Sequence, residues 1–190
     1  MKEFENFRIK VNGHVQIKDS DGNIVLDKKN AIHPQNMATV IARALSRDAN
    51  GYVYKLCFGN GGTFFNSSGQ IVYRPPNTIG SADLYNLTYE VNVDDQSTGT
   101  PVTNSVTSSS SPSPAITSIV TITAQLNANE PAGQAVSDNV TVDPESLFTF
   151  DEIGLKSPDG LLLSHLVFNP FEKTGNRAFL LTYTLTISVS

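Results

Sequence analysis

The carboxyl-terminal segment constrains this chain more than any other. Phe179, Leu181, Tyr183, Leu185, Ile187 and Val189 share one parity, while the alternate positions are mostly Thr and Ser. Successive side chains of an extended strand point to opposite faces, so this pattern is a long amphipathic strand with one face in a core and one in water. The amino-terminal region repeats it. Phe7, Ile9, Val11, Val15 and Ile17 stand on one parity, and Arg8, Lys10, Asn12, His14, Gln16 and Lys18 on the other. Gly13 interrupts that strand, which is the place for a bulge. Residues 19–23 (DSDGN) carry turn chemistry into Ile24, Val25 and Leu26, which predicts an amino-terminal β-hairpin.

From Pro34 the period changes. Met37, Val40, Ile41, Ala44 and Leu45 fall at helical spacing, Pro34 suits a first helical turn, and Asn50-Gly51 provides a stop. This predicts one short helix, packed as a cover on a sheet. Further strand signals lie over 52–58, 84–93, 116–126, 147–155 and 161–168, with 157–160 (SPDG) as a turn between the last two. Residues 59–63 (GNGGT) have too much backbone freedom to continue a ladder. A polar, proline-containing stretch follows through Gly80. Between Asp95 and Pro114 the chain is rich in Ser and Thr, holds three prolines and shows no apolar period, which predicts a flexible loop at about 95–114 closing a long-tipped hairpin between its flanking strands. About eight strands, one helix and no βα alternation predict a single mainly β domain over 1–190, an antiparallel β-sandwich or open barrel with one short covering α-helix.

Composition narrows the function. Charged residues make up 16% of the 190 positions and the net charge is -5, so no basic face is available to grip a phosphate backbone, and nucleic-acid binding is not expected. No segment approaches membrane-spanning length, and the first residues (MKEFEN) put charge where a signal peptide needs an apolar run. A cytoplasmic protein is expected, unless it leaves within or upon a particle. Cys57, the one cysteine, sits between Leu56 and Phe58 and reads as a packed thiol.

A search for chemistry returns little. His14, His33 and His165 occur in no metal-ligand spacing; His14 is on a wet face, His33 can cap or stack at the helix start, and His165 lies in an apolar run. Residues 19–23 begin like a calcium loop, but Gly22 precedes Asn23 and no closing Glu follows, so a hairpin turn explains them. The 59–63 loop follows a strand but lacks the Lys and helix of a phosphate cradle, which leaves close backbone approach at a strand end or a subunit contact. Asp151-Glu152 and Asp94-Asp95 are adjacent pairs that point to opposite faces of a strand, unable to act as matched acid and base and expected to be solvated or salt-bridged. There is no GxSxG elbow. No enzyme, cofactor or metal is expected.

Several segments together carry a resemblance. Residues 25–33 (VLDKKNAIH) leading into the helix, 58–63 (FGNGGT), 131–133 (PAG), 150–156 (FDEIGLK), 165–173 (HLVFNPFEK) and the closing strand resemble virion structural proteins of tailed bacteriophages, particularly of large myoviruses including cyanophages. The resemblance implies a virion component assembled in the host cytoplasm, partnered by other capsid, neck or tail proteins, and acting on the particle exterior as a homo-oligomer. Within that reading 63–80 and 96–114 are the contact or display elements, and Gly59, Asn60, Gly61, Gly62, Tyr73, Arg74, Ser109 and Pro112 are the candidate interaction residues. The alternative is a receptor- or carbohydrate-binding module, with Tyr52, Tyr54, Tyr73, Tyr85 and Tyr89 replacing the absent Trp as sugar platforms.

Overall fold

A computed structural model describes residues 8–93, 105–111, 117–132 and 148–189. In chain order the elements are β1 (Ile9–Asp19), β2 (Ile24–Ile32), α1 (Pro34–Leu45), β3 (Lys55–Gly59), β4 (Thr63–Phe65), β5 (Ile71–Tyr73), β6 (Leu87–Asn92), β7 (Ser105–Ser111), β8 (Thr117–Leu126), β9 (Thr149–Lys156), β10 (Leu162–Glu172) and β11 (Phe179–Val189). Nine strands form one antiparallel sheet in the order β6-β3-β9-β10-β2-β1-β11-β8-β7, curled into a half-barrel, and β4 and β5 form a small separate sheet. The fold is mainly β with one helix, and of the two expected forms it is the open barrel.

The closing strand is the centre of one half of the sheet. β11 pairs with β1 from Ile9↔Val189 to Asp19↔Phe179 and with β8 from Phe179↔Leu126 to Ser188↔Thr117, without a break in either register. Its inward residues Phe179, Leu181, Tyr183 and Leu185 join Val15, Ile17, Ile122, Ala124 and Leu126 in the core. The phenyl rings of Phe58, Phe150, Phe168, Phe171 and Phe179 continue that core toward β9 and β10, with neighbouring centroids 5.0 to 6.1 Å apart. Strands β9 and β3 are buried over nearly their whole length, so both their faces are covered.

The β1–β2 hairpin turns where its letters require. The Asp19 carboxylate accepts the N–H groups of Asp21 and Asn23, Gly22 donates to the Asp19 carbonyl, and Gly22 takes φ 84°, a value that favours glycine. Gly13 makes no bulge. Its pairings with Asn30 and Leu185 are regular, the irregularity falls between Ile17 and Lys18, and a Cβ at position 13 would collide with the Asn30 side chain. Helix α1 stops at Leu45 rather than at Asn50-Gly51. Gly51 serves the returning chain instead, which passes so close to Ala44 that a Cβ there would lie 2.5 Å from the helix backbone.

Two expectations about the middle of the chain are corrected. Residues 105–111 lie within the stretch read as a loop, yet they form strand β7, paired with β8 from Ser105↔Thr123 to Ser111↔Thr117. A run of Ser and Thr has no apolar period, but its backbone donors and acceptors can still complete a sheet edge. The strands flanking the stretch form no hairpin with one another: β6 pairs with β3 at one end of the sheet, and β8 lies next to the other end. Residues 95–104 and 112–114 of that stretch, with Pro112 and Asp94-Asp95, lie outside the described residues.

Candidate interaction surface

The glycine-rich loop after β3 is an anion cradle, and the anions are the protein's own. Gly61 donates its N–H to Glu152 Oε1 at 3.1 Å, Gly62 donates to Asp151 Oδ1 at 2.8 Å, and the N–H and hydroxyl of Thr63 both donate to Asp151 Oδ2. Glu152 also accepts the N–H groups of Tyr85 (2.9 Å) and Asn86 (2.8 Å) and lies 2.9 Å from His165 Nε2. The acidic pair is therefore not solvated: both residues are at most 1% exposed. Adjacent carboxylates do leave an isolated strand on opposite faces, but a loop that curls past the strand end supplies donors to both. Glycine is needed because Cβ atoms at 59, 61 and 62 would meet neighbouring atoms at 2.4 to 2.9 Å.

Burial and hydrogen bonding compete at this pair with different outcomes. At Asp151 burial pushes the pKa up, and the donors from Thr63 and Gly62 do not cancel it. At Glu152 burial also pushes up, but the hydrogen bonds from His165, Asn86 and Tyr85 outweigh it and hold the carboxyl below its ordinary value.

The two inner histidines are consumed in the same way. His33 caps α1: its Nδ1 accepts the Asn36 N–H at 3.2 Å, and its Nε2 lies 3.1 Å from the Gly80 carbonyl. His165 accepts the Asn77 N–H on Nδ1 at 2.7 Å and gives Nε2–H to Glu152. On each ring Nδ1 accepts a backbone N–H, which leaves Nε2 to face the Gly80 carbonyl or the Glu152 carboxylate. His14 pairs with Asp27 at the surface, 2.6 Å away. Cys57 is fully buried, and burial drives its thiol pKa far up, which leaves an inert thiol. Among the described residues no group of three or more His, Cys, Asp or Glu is placed to hold a metal ion.

What faces outward is aromatic. In the β4–β5 hairpin, Thr63 pairs with Tyr73, Phe64 with Val72 and Phe65 with Ile71. Phe64, Phe65 and Tyr73 are each close to half exposed, an unusual state for rings this large. Arg74 stacks on one of them: its guanidinium lies 5.8 Å from the Phe64 ring centroid and 4.9 Å from that of Tyr85. The Tyr73 hydroxyl reaches Asn169 Oδ1 on β10 at 3.2 Å. A second apolar feature, a groove of about 510 Å³, runs between α1 and the ends of β1 and β2, lined by Ile9, Val11, Ile32, Met37, Ile41 and Leu45 among others.

The candidate residues thus separate. Tyr73 and Arg74 come together at the exposed hairpin, while Ser109 is exposed on β7 at the far end of the sheet. Gly59, Asn60 and Gly62 are buried, and Gly61 and Gly62 donate inward, so the loop is an internal clasp. Phe64 and Phe65 were missed in a stretch that looked merely polar; two consecutive phenylalanines after a glycine run were the available signal. Compared with protein-family models, with curated proteins and with solved structures, the chain matches none of them.

Proposed function

We propose that the chain is a non-enzymatic structural component of a tailed-phage virion, assembled on the particle exterior through protein–protein contacts, with the β4–β5 hairpin as a contact element. The observation that carries the reading is the hairpin: Phe64, Phe65 and Tyr73 stand half exposed on it, and Arg74, which follows it, stacks on Phe64 and Tyr85. Aromatic and Arg side chains dominate the energetics of protein interfaces, because large rigid groups gain much contact area for little lost conformational freedom. The inner titratable groups point the same way. Glu152, Asp151, His33 and His165 are occupied by backbone hydrogen bonds that hold the fold. The resemblance of 25–33, 58–63 and 150–156 to virion proteins supplies the setting.

Cryo-electron microscopy of purified particles tests this. Density for the chain repeating on the capsid lattice identifies a decoration protein, and density on the particle axis a neck or tail component. Absence from the particle refutes the proposal. The double variant Phe64→Ser, Phe65→Ser is expected to fold with a modest loss of stability, since about half of each ring is already in water, yet to lose incorporation at least about tenfold, as expected when interface anchors are truncated.

A further inference from the structure

The main sheet is open, and its two edges are not alike. β6, at one edge, carries Glu90 in an ion pair with Lys55, and its register with β3 slips between Phe58 and Gly59. Charge and irregularity are the usual guards against pairing with a further strand. β7, at the other edge, has neither. It runs in unbroken register along β8 from Ser105↔Thr123 to Ser111↔Thr117, contains no proline and no charged residue, and is exposed over 107–110. The Ser105 and Thr123 hydroxyls lie 2.8 Å apart and Thr107 Oγ1 donates to the Thr121 carbonyl, so side chains as well as backbone fix β7 on its neighbour. Among the described residues β7 hydrogen-bonds to β8 and to no other element. The absence of charge extends inward from this edge. β7, β8 and β11 together hold no Asp, Glu, Lys, Arg or His, although the whole chain has 13 basic and 18 acidic residues.

We propose that β7 is a self-association edge, on which a second copy of this chain adds its own β7 antiparallel, across a two-fold axis at Ser108. In an antiparallel ladder alternate residues direct N–H and C=O to the same side, so an edge strand of this length turns about three residues' backbone groups outward. A second strand satisfies them. Two observations single out an identical strand as that partner. With a net charge of -5 two copies repel one another, and the approach that costs least brings their uncharged surfaces together. The strand is also nearly its own complement. Centred on Ser108, the two-fold sets Ser105 against the partner's Ser111, Val106 against the partner's Ser110 and Thr107 against the partner's Ser109, small side chains throughout with no like charges facing. Such a contact uses each β7 once, and the guarded β6 edge ends the sheet in both molecules, so the assembly closes at two copies and does not grow into a fibre. The β4–β5 hairpin, tied to β10 through Tyr73 and Asn169, takes no part in it.

Sedimentation equilibrium of the isolated full-length chain, from about 1 to about 500 µM, tests this. The expected result is a reversible monomer–dimer equilibrium that added salt does not weaken, since no ion pair holds it. Ser108→Lys and Ser108→Asp each place like charges face to face across the axis. Because Ser108 is exposed, each is expected to weaken dimerisation about fivefold or more with circular dichroism unchanged. An equimolar mixture of the two variants sets Lys against Asp and is expected to recover the native association. The Phe64→Ser, Phe65→Ser variant is expected to dimerise as the native chain does. The β7 contact is overturned by a native chain that stays monomeric throughout or grows beyond two copies. It is equally overturned by a dimer that salt dissolves, that both Ser108 variants keep or that the hairpin variant loses, and by Ser108 variants whose mixture stays monomeric. The experiment needs no particle, so its result is independent of the assembly test.

Discussion

Asp151 and Glu152 show how one dipeptide divides into two electrostatic situations. Glu152 gathers four donors and has its pKa held below the ordinary 4.5, so its contribution to stability is fully present above that value and is lost as the pH falls through the folded-state value. Asp151 is raised, so its contribution has the opposite sign: it favours the fold below 3.8 and is lost as the pH rises through its folded value. Glu152→Gln turns an amide toward two groups that themselves donate. It is expected to cost about 3 kcal/mol at neutral pH and about 1 kcal/mol or less in acid, measured as urea midpoints at about pH 7 and pH 3.5. Lys173 is fully buried, with its ammonium donating to the Ala128 and Thr174 carbonyls at 3.2 Å each, 5.8 Å from the Phe179 ring. Burial lowers its pKa from 10.5 to about 8, against the pull of Glu130. Between those values the unfolded chain binds more protons, so stability is expected to increase as the pH rises through the window, and Lys173→Met should abolish that slope in denaturation series. Neither effect was legible in the sequence. FDEIGLK announces a strand, but which donors meet its carboxylates depends on a loop some ninety residues earlier, as the separations between Gly62 or Thr63 and Asp151 show.

Elements were most legible where local pattern and tertiary demand agree. β11 and β1 alternate strictly because each has one face in the core, and Leu181→Ala in β11 is expected to cost about 3 kcal/mol in chemical denaturation, the usual range for a buried leucine. The helix was legible from Pro34 and its apolar spacing, and His33 does cap it, as one of the two roles open to it from sequence. His33→Ala is expected to cost about 1 kcal/mol for the lost cap, read as a shift in thermal midpoint, whereas Ser or Asn at 33 should recover most of it. The elements that escaped are short or without an apolar face. β4 and β5 are three residues each, below the length at which alternation can be seen, and β7 carries Ser on both faces.

At the scale of the whole molecule, the sheet joins strands from the two ends of the chain. β1 and β11 are the most extensive pair, and β2 meets β10 across a separation of more than a hundred residues, as in Ala31↔His165. Loop closure on this scale precedes any reward from contacts, so folding is expected in milliseconds to seconds or slower, observable by stopped-flow dilution from denaturant. Microsecond refolding would contradict the topology. The sequence by itself determined the class of fold, the long strands, the first hairpin and the helix, because a period of two or of 3.6 is a local consequence of facing a core. Only the tertiary structure decided the strand order, the conversion of a glycine loop into a clasp for buried carboxylates, the anchoring of Asn77 and Gly80 on two buried histidines and the exposure of Phe64, Phe65 and Tyr73. Each of these depends on which distant backbone donor or apolar surface comes within a few ångströms, and side-chain periodicity carries no record of that.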